Sequence, residues 1–156
     1  MTIRKATEKD IGGVDRLLFQ VQNLHHTGRP DLFRANAKKY TDKELAAIFQ
    51  EEKTPVFVAV DETEAVLGYA FCMLTQNTES HILTDIRSLY IDDLCVDETC
   101  RGRHIGTALY DYVLAYAKKA GCYNVTLNVW SCNPAALRFY EKCGLTPQKI
   151  GMEKIL

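Results

Sequence analysis

The strongest constraint on the fold is a short glycine-containing turn that joins an apolar strand to an amphipathic helix. The run Ile86–Val96 has the composition of a strand and is interrupted only by two acids, and the turn Arg101–Gly106 follows it. The segment Arg103–Ala120 then carries apolar side chains at helical spacing on one stripe: Ile105, Leu109, Tyr112, Val113 and Tyr116. A strand that leads through a turn into such a helix is typical of an α/β domain.

The start of this helix has the features of an anion site. The first amides of a helix lack partners and carry a partial positive charge, which suits a phosphate. Gly102 and Gly106 let the backbone approach a ligand, while Arg101 and Arg103 add positive charge nearby. No Lys-Ser or Lys-Thr follows the glycines, and their spacing differs from G-x-G-x-x-G, so both nucleotide motifs are excluded. The turn alone is equally consistent with glycines that serve only tight packing.

Periodicity and turn residues predict the other elements. The predicted strands are Thr2–Ala6, Pro55–Val60, Val66–Leu74, Ile86–Val96, Asn124–Val129 and Gln148–Ile155. The predicted helices begin at Thr7 and at about Thr41, where a capping-box spacing occurs, and two more cover Arg103–Ala120 and Asn133–Cys143. This order predicts one α/β domain over residues 1–156, with a mixed sheet covered by helices.

Composition excludes several classes of function. Apolar residues make up 47% and charged residues 25% of the chain, which argues for a packed core and against disorder. Lysine and arginine total 19 against 20 acids, so there is no basic field to attract nucleic acid. No stretch approaches the roughly 20 apolar residues of a membrane span, and the residues after Met1 do not resemble a signal peptide. We therefore expect a cytoplasmic protein that binds neither nucleic acid nor membrane.

The cysteines invite a metal or disulfide interpretation. There are six: Cys72, Cys95, Cys100, Cys122, Cys132 and Cys143. None forms a C-x-x-C pair, and several fall inside apolar patterns, so reduced thiols that pack as small core residues are expected. A thiol-based enzyme using Cys95 or Cys100 would need a partnered histidine, which no local pattern supplies.

Two motifs in this order resemble the GNAT superfamily of acyl-CoA N-acyltransferases. Arg101–Gly106 matches its R/Q-x-x-G-x-G/A signature, and Asn133–Leu145 resembles its N-x-x-A-x-x-F/L-Y-x-x-x-G-F motif. The resemblance implies a mostly antiparallel mixed sheet with splayed middle strands, about four flanking helices, and acetyl-CoA as the donor without a metal. The residues that it implies for cofactor binding are Leu94, Cys95, Val96, Arg101, Gly102, Arg103, His104, Ile105, Gly106, Thr107, Asn133 and Ala136.

His104 departs from the family pattern, because it stands where the family usually has its first glycine. A positive φ at this position would cost energy for a residue with a side chain. We expect residue 104 to be helical already, with its side chain turned away from the phosphates, because Gly102 and Gly106 remain.

The second motif gives roles to Tyr140 and Asn133. The resemblance implies that Tyr140 protonates the coenzyme A sulfur, and a phenol with a pKa of ~10 does hold its proton at neutral pH. The alternative is a tyrosine packed in the core. Asn133 looks like the family's cofactor-contacting asparagine, and it also fits a plain helix N-cap. The resemblance further implies that an amide near Leu94 faces the thioester carbonyl.

Asp92 and Asp93 are the candidate acids for the acceptor side. Adjacent residues of a strand point to opposite faces of the sheet, so one of the two is expected at the cleft. Tyr90–Leu94 resembles the corresponding stretch of the diamine (spermidine/spermine) acetyltransferases, in which an acid at the Asp92 position contacts the amine. We predict Asp92 as the general base and Asp93 as a second substrate contact. A solvated acid at the end of a strand is the alternative for Asp92.

The stretch His25–Phe33 is implied to border the acceptor cleft. His25 could accept a proton there or be a plain helix-end residue, and Arg29 could select substrate charge or only fix the turn.

Together these features predict direct acetyl transfer from acetyl-CoA to a primary amine, such as a polyamine or diamine. A protein N-terminus or lysine is the alternative acceptor, and a non-catalytic coenzyme-A-binding regulatory module is the alternative function. A homodimer is expected at the level of the family.

Overall fold

A sheet of five strands in sequential order forms the centre of the structure, a computed structural model that describes residues 1–156. The strands are β1 (Thr2–Lys5), β2 (Val56–Val60), β3 (Val66–Gln76), β4 (Arg87–Val96) and β5 (Asn124–Leu127). The helices are α1 (Ile11–Gly28), α2 (Asp42–Gln50), α3 (Ile105–Lys119) and α4 (Pro134–Lys142). The first three strand pairs are antiparallel and the last pair, β4 with β5, is parallel. The predicted mixed, mostly antiparallel sheet with four helices is confirmed.

Both faces of the sheet are buried under helices, because side chains along the central strands alternate between two cores. On one face Tyr69 and Phe71 pack with residues of α1 and α2. On the other face Ala70 and Cys72 pack with residues of α3. None of the helices combines the length and the apolar character that crossing a membrane requires.

Local signals place the helix ends to within one to four residues. The capping box before α2 is confirmed: the Glu44 amide donates to Thr41 Oγ1 at 3.2 Å, and the Thr41 amide donates to Glu44 Oε2 at 2.8 Å. The first helix begins at Ile11 rather than at Thr7, after a 3₁₀ turn over Glu8–Asp10. In that turn the buried carboxylate of Asp10 accepts the Thr7 amide. Helix α3 begins at Ile105, and β5 ends at Leu127.

The final predicted strand, Gln148–Ile155, is wrong. Helix α4 ends at Lys142, and the Leu145 amide donates to the Tyr140 carbonyl oxygen at 3.1 Å, after which no residue belongs to a helix or strand. The alternation of Ile150 and Met152 is typical of an extended segment. A strand also needs a hydrogen-bonded neighbour, however, and no other part of this chain pairs with this one.

Candidate active site

Strands β4 and β5 separate halfway along β4. They pair only from Ser88 and Asn124 to Ile91 and Leu127, whereas β4 stays paired with β3 as far as Val96. The edge of residues 92–96 that faces β5 therefore has no strand partner, and its N–H and C=O groups can bond an extended ligand. Leu94, Cys95 and Val96 all lie on this stretch, next to the splayed gap that the sequence predicted.

A β-bulge lies where the gap opens. Phe71 pairs with Asp93 and the next residue, Cys72, pairs with Ile91, so Asp92 is the extra residue of β4. The expectation that Asp92 and Asp93 face opposite sides of the sheet is therefore wrong. Regular alternation stops at the bulge, and both carboxylates reach the face covered by α1 and α2. There Asp92 pairs with Lys39 and Asp93 accepts a bond from Tyr69.

Asp93 is the better oriented of the two acids. Its Oδ2 accepts a 2.7 Å hydrogen bond from the Tyr69 hydroxyl. Burial raises the pKa of Asp93, while the Tyr69 hydrogen bond and the charges of Lys39 and His25 partly oppose that increase. The result is an oriented carboxylate whose pKa is above its ordinary value, which suits proton transfer.

Asp92 lies in a different environment. Its Oδ2 is 3.1 Å from Lys39 Nζ, and 36% of its side chain and 38% of that of Lys39 are exposed. Both carboxylates act on Lys39, so its pKa is raised although desolvation by burial opposes the increase. Sequence reasoning did not identify Lys39, because it lies in a polar connection between α1 and α2 with no motif around it.

Tyr140 extends the cluster from the side of α4. Its ring packs edge-to-face against Phe139 with centroids 5.1 Å apart, and its hydroxyl makes no hydrogen bond within the chain. Burial, followed by the charge of Asp93, raises the pKa of Tyr140. A phenol held protonated and free to donate is close enough to Asp93 for the two groups to interact electrostatically.

The turn before α3 has the shape of an anion cradle, with one correction. Gly102 has φ of 79°, and His104, the N-cap residue of α3, has φ of 59°. The expectation that residue 104 is helical is therefore wrong: its backbone is left-handed, a conformation that favours glycine. No side chain caps the helix, so the amides of Ile105, Gly106 and Thr107 remain available to an anion. Arg101, Gly102, Arg103 and His104 are all exposed around them.

Gly106 lies where the cradle meets α4. A Cβ atom at this position would lie 3.3 Å from Cζ of Phe139 and 3.5 Å from Cγ2 of Val96. Glycine thus allows α4 to pack against the first turn of α3. At the start of α4 the Asn133 Oδ1 accepts the Ala136 amide at 3.2 Å, so Asn133 is an N-cap, which leaves its Nδ2 free for a ligand.

Asp97 supports the loop between β4 and α3, and sequence reasoning missed it. The buried carboxylate pairs with Arg16 of α1, and its Oδ1 accepts the Thr99 amide at 2.9 Å and the Thr99 hydroxyl at 2.8 Å. The Arg16 hydrogen bond is the main reason that the pKa of Asp97 falls to about 2. The signal that could have identified it is the Asp-x-Thr spacing, which is typical of an Asx turn.

The predicted acceptor residues separate into two groups. His25 lies in the acidic cluster, since the charges of Asp93 and Lys39 act on it, and burial lowers its pKa. Its ring packs 5.0 Å from that of Phe33, which in turn contacts Trp130 at 5.2 Å. Arg29 is engaged elsewhere, because its guanidinium pairs with Asp31 at 2.7 Å and with Glu153.

Two cavities border these elements. One of about 250 Å³ lies between α1 and the cradle and is lined in part by Leu24, Thr27, Cys95 and Arg101. A larger one of about 650 Å³ lies at the opposite end of the sheet, beside Lys53 and Arg87, and none of the candidate site residues lines it. The cavity near the cradle is therefore the relevant one for a ligand.

The cysteines do not form a second reactive centre. All six thiols are free, Cys72 and Cys95 are buried, and Cys132 is exposed rather than packed in the core as predicted. Burial raises the pKa of Cys95 to about 12, so its thiol stays protonated and is a poor nucleophile. No group of three or more His, Cys, Asp and Glu side chains is arranged to hold a metal ion.

Several known proteins are similar to this chain in sequence or in fold. The sequence model of a family described as "Acetyltransferase (GNAT) family" matches residues 20–145. Glucosamine 6-phosphate N-acetyltransferase of Arabidopsis thaliana is 35% identical over 65 residues, which are 42% of this chain and 42% of that protein. Glucosamine 6-phosphate N-acetyltransferase 1 of Oryza sativa subsp. japonica is 31% identical over 110 residues, 70% of this chain and 62% of that protein. The matches thus span less than two thirds of each relative.

One solved structure is similar over the full length. The X-ray structure of a tetramutant of the BH1408 protein from Bacillus halodurans covers 100% of both chains, with a TM-score of 0.95 and 37% identity. None of these three proteins is named as a diamine acetyltransferase. The similarity to that group predicted from Tyr90–Leu94 therefore gains no support from them.

Proposed function

The chain belongs to the GNAT family of acetyltransferases, and we propose that it transfers the acetyl group of acetyl-CoA to a small primary amine. One observation carries this proposal. The gap between β4 and β5 leads from the anion cradle at α3 to a cluster that holds both an oriented carboxylate, Asp93, and an unbonded phenol, Tyr140. A candidate acid and a candidate base thus lie at one end of the gap, and the other end suits a phosphate.

The residues along the gap fit acetyl-CoA. The free amides of Ile105, Gly106 and Thr107 would take the pyrophosphate, with Arg101 and Arg103 adding charge. The unpaired edge of residues 92–96 would take the pantetheine arm, and the free Nδ2 of Asn133 adds a donor from the start of α4. When bound, acetyl-CoA supplies a thioester carbonyl that is activated toward amines.

Asp93 is our candidate for the general base, in place of Asp92. An alkylamine is protonated at neutral pH and must lose a proton before its nitrogen attacks the thioester carbon. The Asp93 carboxylate is oriented by Tyr69 and has a raised pKa, so it accepts that proton more readily than an ordinary aspartate. Asp92 is engaged with Lys39 and serves better to set the charge of the acceptor side.

Tyr140 is our candidate for the general acid. As the new N–C bond forms, the C–S bond breaks and the departing thiolate needs a proton. The Tyr140 hydroxyl makes no competing hydrogen bond, and its raised pKa keeps the proton in place until the sulfur becomes basic. The presence of this phenol and of Asp93 in one cluster also argues against a non-catalytic module, which would need neither group.

The names of two relatives, together with the presence of Lys39, favour an acceptor that carries an anionic group beside its amine. Lys39 neutralises Asp92, so the acceptor side is not the multiply acidic surface that a polyamine would require. The two plant relatives are named for glucosamine 6-phosphate, an amine with a phosphate. A polyamine, the acceptor suggested by the sequence, remains the competing candidate, and a protein N-terminus or lysine is the alternative.

An amine panel with released coenzyme A as the readout tests this proposal. The panel includes glucosamine 6-phosphate, glucosamine, amino acids, spermidine and short peptides. We expect the anionic amines to be acetylated with the highest kcat/KM, and Lys39→Gln to reduce their advantage by about tenfold, since one opposite charge is removed. Arg34→Gln, on the same connection but in no ion pair, is the matched control. A preference for spermidine would overturn the acceptor class, and no thiol release with any amine would overturn the activity.

A further inference from the structure

Lys39 places a primary amine of the chain itself in the cluster that contains Asp93 and Tyr140. Its Nζ lies 3.1 Å from Asp92 Oδ2, at the bulge where the gap between β4 and β5 opens. The charge of Asp93 acts on Lys39 as well, and it also acts on Tyr140. The ammonium of Lys39 therefore lies in the same cluster as the candidate base and the candidate acid, the two groups that an acceptor amine needs.

The residues on both sides of Lys39 are anchored to the rest of the fold. Lys38 Nζ pairs with Asp15 of α1 at 2.7 Å. The ring of Tyr40 stacks on Phe71 of β3, with ring centroids 5.9 Å apart. These contacts fix where the Lys39 side chain begins and keep its amine beside the gap. A reaction between groups that are held together in this way is effectively unimolecular, which favours it over reaction with a free amine at low concentration.

We propose, on the basis of the acetyltransferase function proposed above, that Lys39 is acetylated by its own molecule when acetyl-CoA is bound and no acceptor amine is present. Asp93 takes one proton from the Lys39 ammonium, and the neutral Nζ attacks the thioester carbon. As the N–C bond forms, the nitrogen loses a second proton, and the C–S bond breaks with its electron pair going to sulfur. The sulfur takes the proton of Tyr140, which regains the second proton of the nitrogen through water. The products are an amide at Lys39, the coenzyme A thiol and one proton released to water.

Self-acetylation is slower than the turnover of a free acceptor. Burial disfavours the charge of Lys39, but the charges of Asp92 and Asp93 outweigh burial and raise the pKa of its ammonium. Less neutral amine is therefore present at a given pH than for a free alkylamine. The ion pair with Asp92 must also open before Nζ can attack. The modification thus accumulates when acetyl-CoA is plentiful and the acceptor is scarce.

Acetylation of Lys39 changes the charge of the acceptor side. The amide is neutral, so Asp92 loses the cation that it pairs with in the unmodified chain. Asp92 and Asp93 then present acidic groups without a compensating lysine, which attract a cationic amine and repel an anionic one. The modification is therefore expected to shift the acceptor preference from anionic amines toward cationic ones.

Mass spectrometry of the chain incubated with acetyl-CoA alone tests the modification. We expect one acetyl group per chain, mapped to Lys39, at a rate about tenfold or more above that of the exposed Lys43. The rate per chain should not depend on the protein concentration, because donor and acceptor are held by the same molecule. Peptide mapping of the unmodified sequence needs no variant, so a folding defect cannot explain its result.

Variants separate enzymatic acetylation from the direct reaction of acetyl-CoA with lysines. Tyr140→Phe should slow the acetylation of Lys39 by about ten- to a thousandfold, because the sulfur loses its proton donor. Lys39→Arg should gain no acetyl group at this position, since a guanidinium is not a primary amine. Lys38→Arg, on the adjacent residue, is the matched control and should leave the acetylation of Lys39 unchanged.

The change of preference has its own readout. The kcat/KM values of the best anionic amine of the panel and of spermidine are measured before and after incubation with acetyl-CoA. We expect their ratio to fall by about tenfold in the unmodified sequence and to stay constant in Lys39→Arg, whose charge cannot be removed. An unchanged ratio after full acetylation of Lys39 would overturn the shift in preference.

The failure of this inference differs from the failure of the proposed function. Turnover of an amine without acetylation of Lys39 would overturn the inference and leave the function standing. Acetyl groups spread equally over exposed lysines, or a rate per chain that rises with protein concentration, would also overturn it. Absence of both amine turnover and Lys39 acetylation would overturn the proposed function itself.

Discussion

The Tyr69 hydroxyl donates a 2.7 Å hydrogen bond to the Asp93 carboxylate, across the pair of strands in which β4 carries its bulge. Both groups lie beneath α1 and α2, where burial raises the pKa of each. The bond fixes one carboxylate oxygen. The other is left to accept a proton in the cluster that also contains Lys39, His25 and Tyr140.

Replacing each acid in turn separates their roles. We expect Asp93→Asn to lower kcat/KM by about 10²- to 10⁴-fold, because the proton acceptor is lost while the shape is kept. Asp92→Asn is the matched control on the adjacent residue, and we expect a loss of about tenfold or less. Both variants are checked for folding by circular dichroism. A larger loss for Asp92→Asn would return the base assignment to that residue.

The pH dependence of kcat/KM should follow the protonation of Asp93. A base works only when deprotonated, so activity is lost as the pH falls through its pKa. Because burial raises the pKa of Asp93 above the ordinary 3.8, this acid limb should lie at a higher pH than for an exposed aspartate. We expect Asp93→Asn to abolish the limb and Asp92→Asn to keep it, measured with an acceptor amine whose own ionisation is known.

Tyr140→Phe should separate chemistry from binding. Loss of the hydroxyl removes the proton donor for the leaving sulfur, so we expect kcat to fall by about ten- to a thousandfold. Since the phenyl ring keeps its contact with Phe139, acetyl-CoA should still raise the melting temperature as it does for the unmodified chain. An unchanged kcat would remove Tyr140 from the mechanism, and a lost thermal shift would make its role structural.

His104→Gly should stabilise the fold. A residue with a side chain in the left-handed conformation costs about 1–2 kcal/mol of folding free energy. Glycine avoids that cost, but its greater freedom in the unfolded chain offsets part of the gain. We expect a net gain of about 1 kcal/mol or less and a rise in Tm of about 1–4 °C. Arg103→Gly is the control, because Arg103 is equally exposed but has no positive φ, and it should lower Tm. Equal effects of the two substitutions would contradict the assignment of strain to residue 104.

Asp97→Asn should weaken both the fold at neutral pH and the binding of acetyl-CoA. The pKa of Asp97 is depressed to about 2 in the folded chain, so its stabilisation is present above about pH 4 and is lost as the pH falls toward 2. The variant should therefore lose less stability over that range. Asp61→Asn removes a similar turn acceptor between β2 and β3, far from the cradle. We expect it to lower Tm while leaving the acetyl-CoA shift unchanged, and a reduced shift in this control would count against a specific role for Asp97.

Local chemistry explains how much of the structure was predictable. The capping box at Thr41 and the glycines before α3 act within a few residues, so neighbouring positions in the sequence are enough to predict them. The bulge at Asp92 is not, because it is defined by the pairing of Phe71 and Cys72 on another strand. The same applies to Lys39, whose partner lies 53 residues away. The alternation of apolar side chains over residues 148–155 shows a further limit, since alternation does not specify a hydrogen-bonded neighbour.

The bulge also divides β4 into two segments that can vary independently. Before the bulge the odd-numbered side chains face the core beneath α3, as Ile91 does, whereas after it the odd-numbered Asp93 and Cys95 lie on the opposite face. Deleting residue 92 would remove the bulge and restore regular alternation along β4. Either the core side chains before it or Asp93 after it would then face the wrong side of the sheet. For protein engineering, Asp93 can thus be replaced to alter the acceptor chemistry, while core residues before the bulge, such as Ile91, stay unchanged.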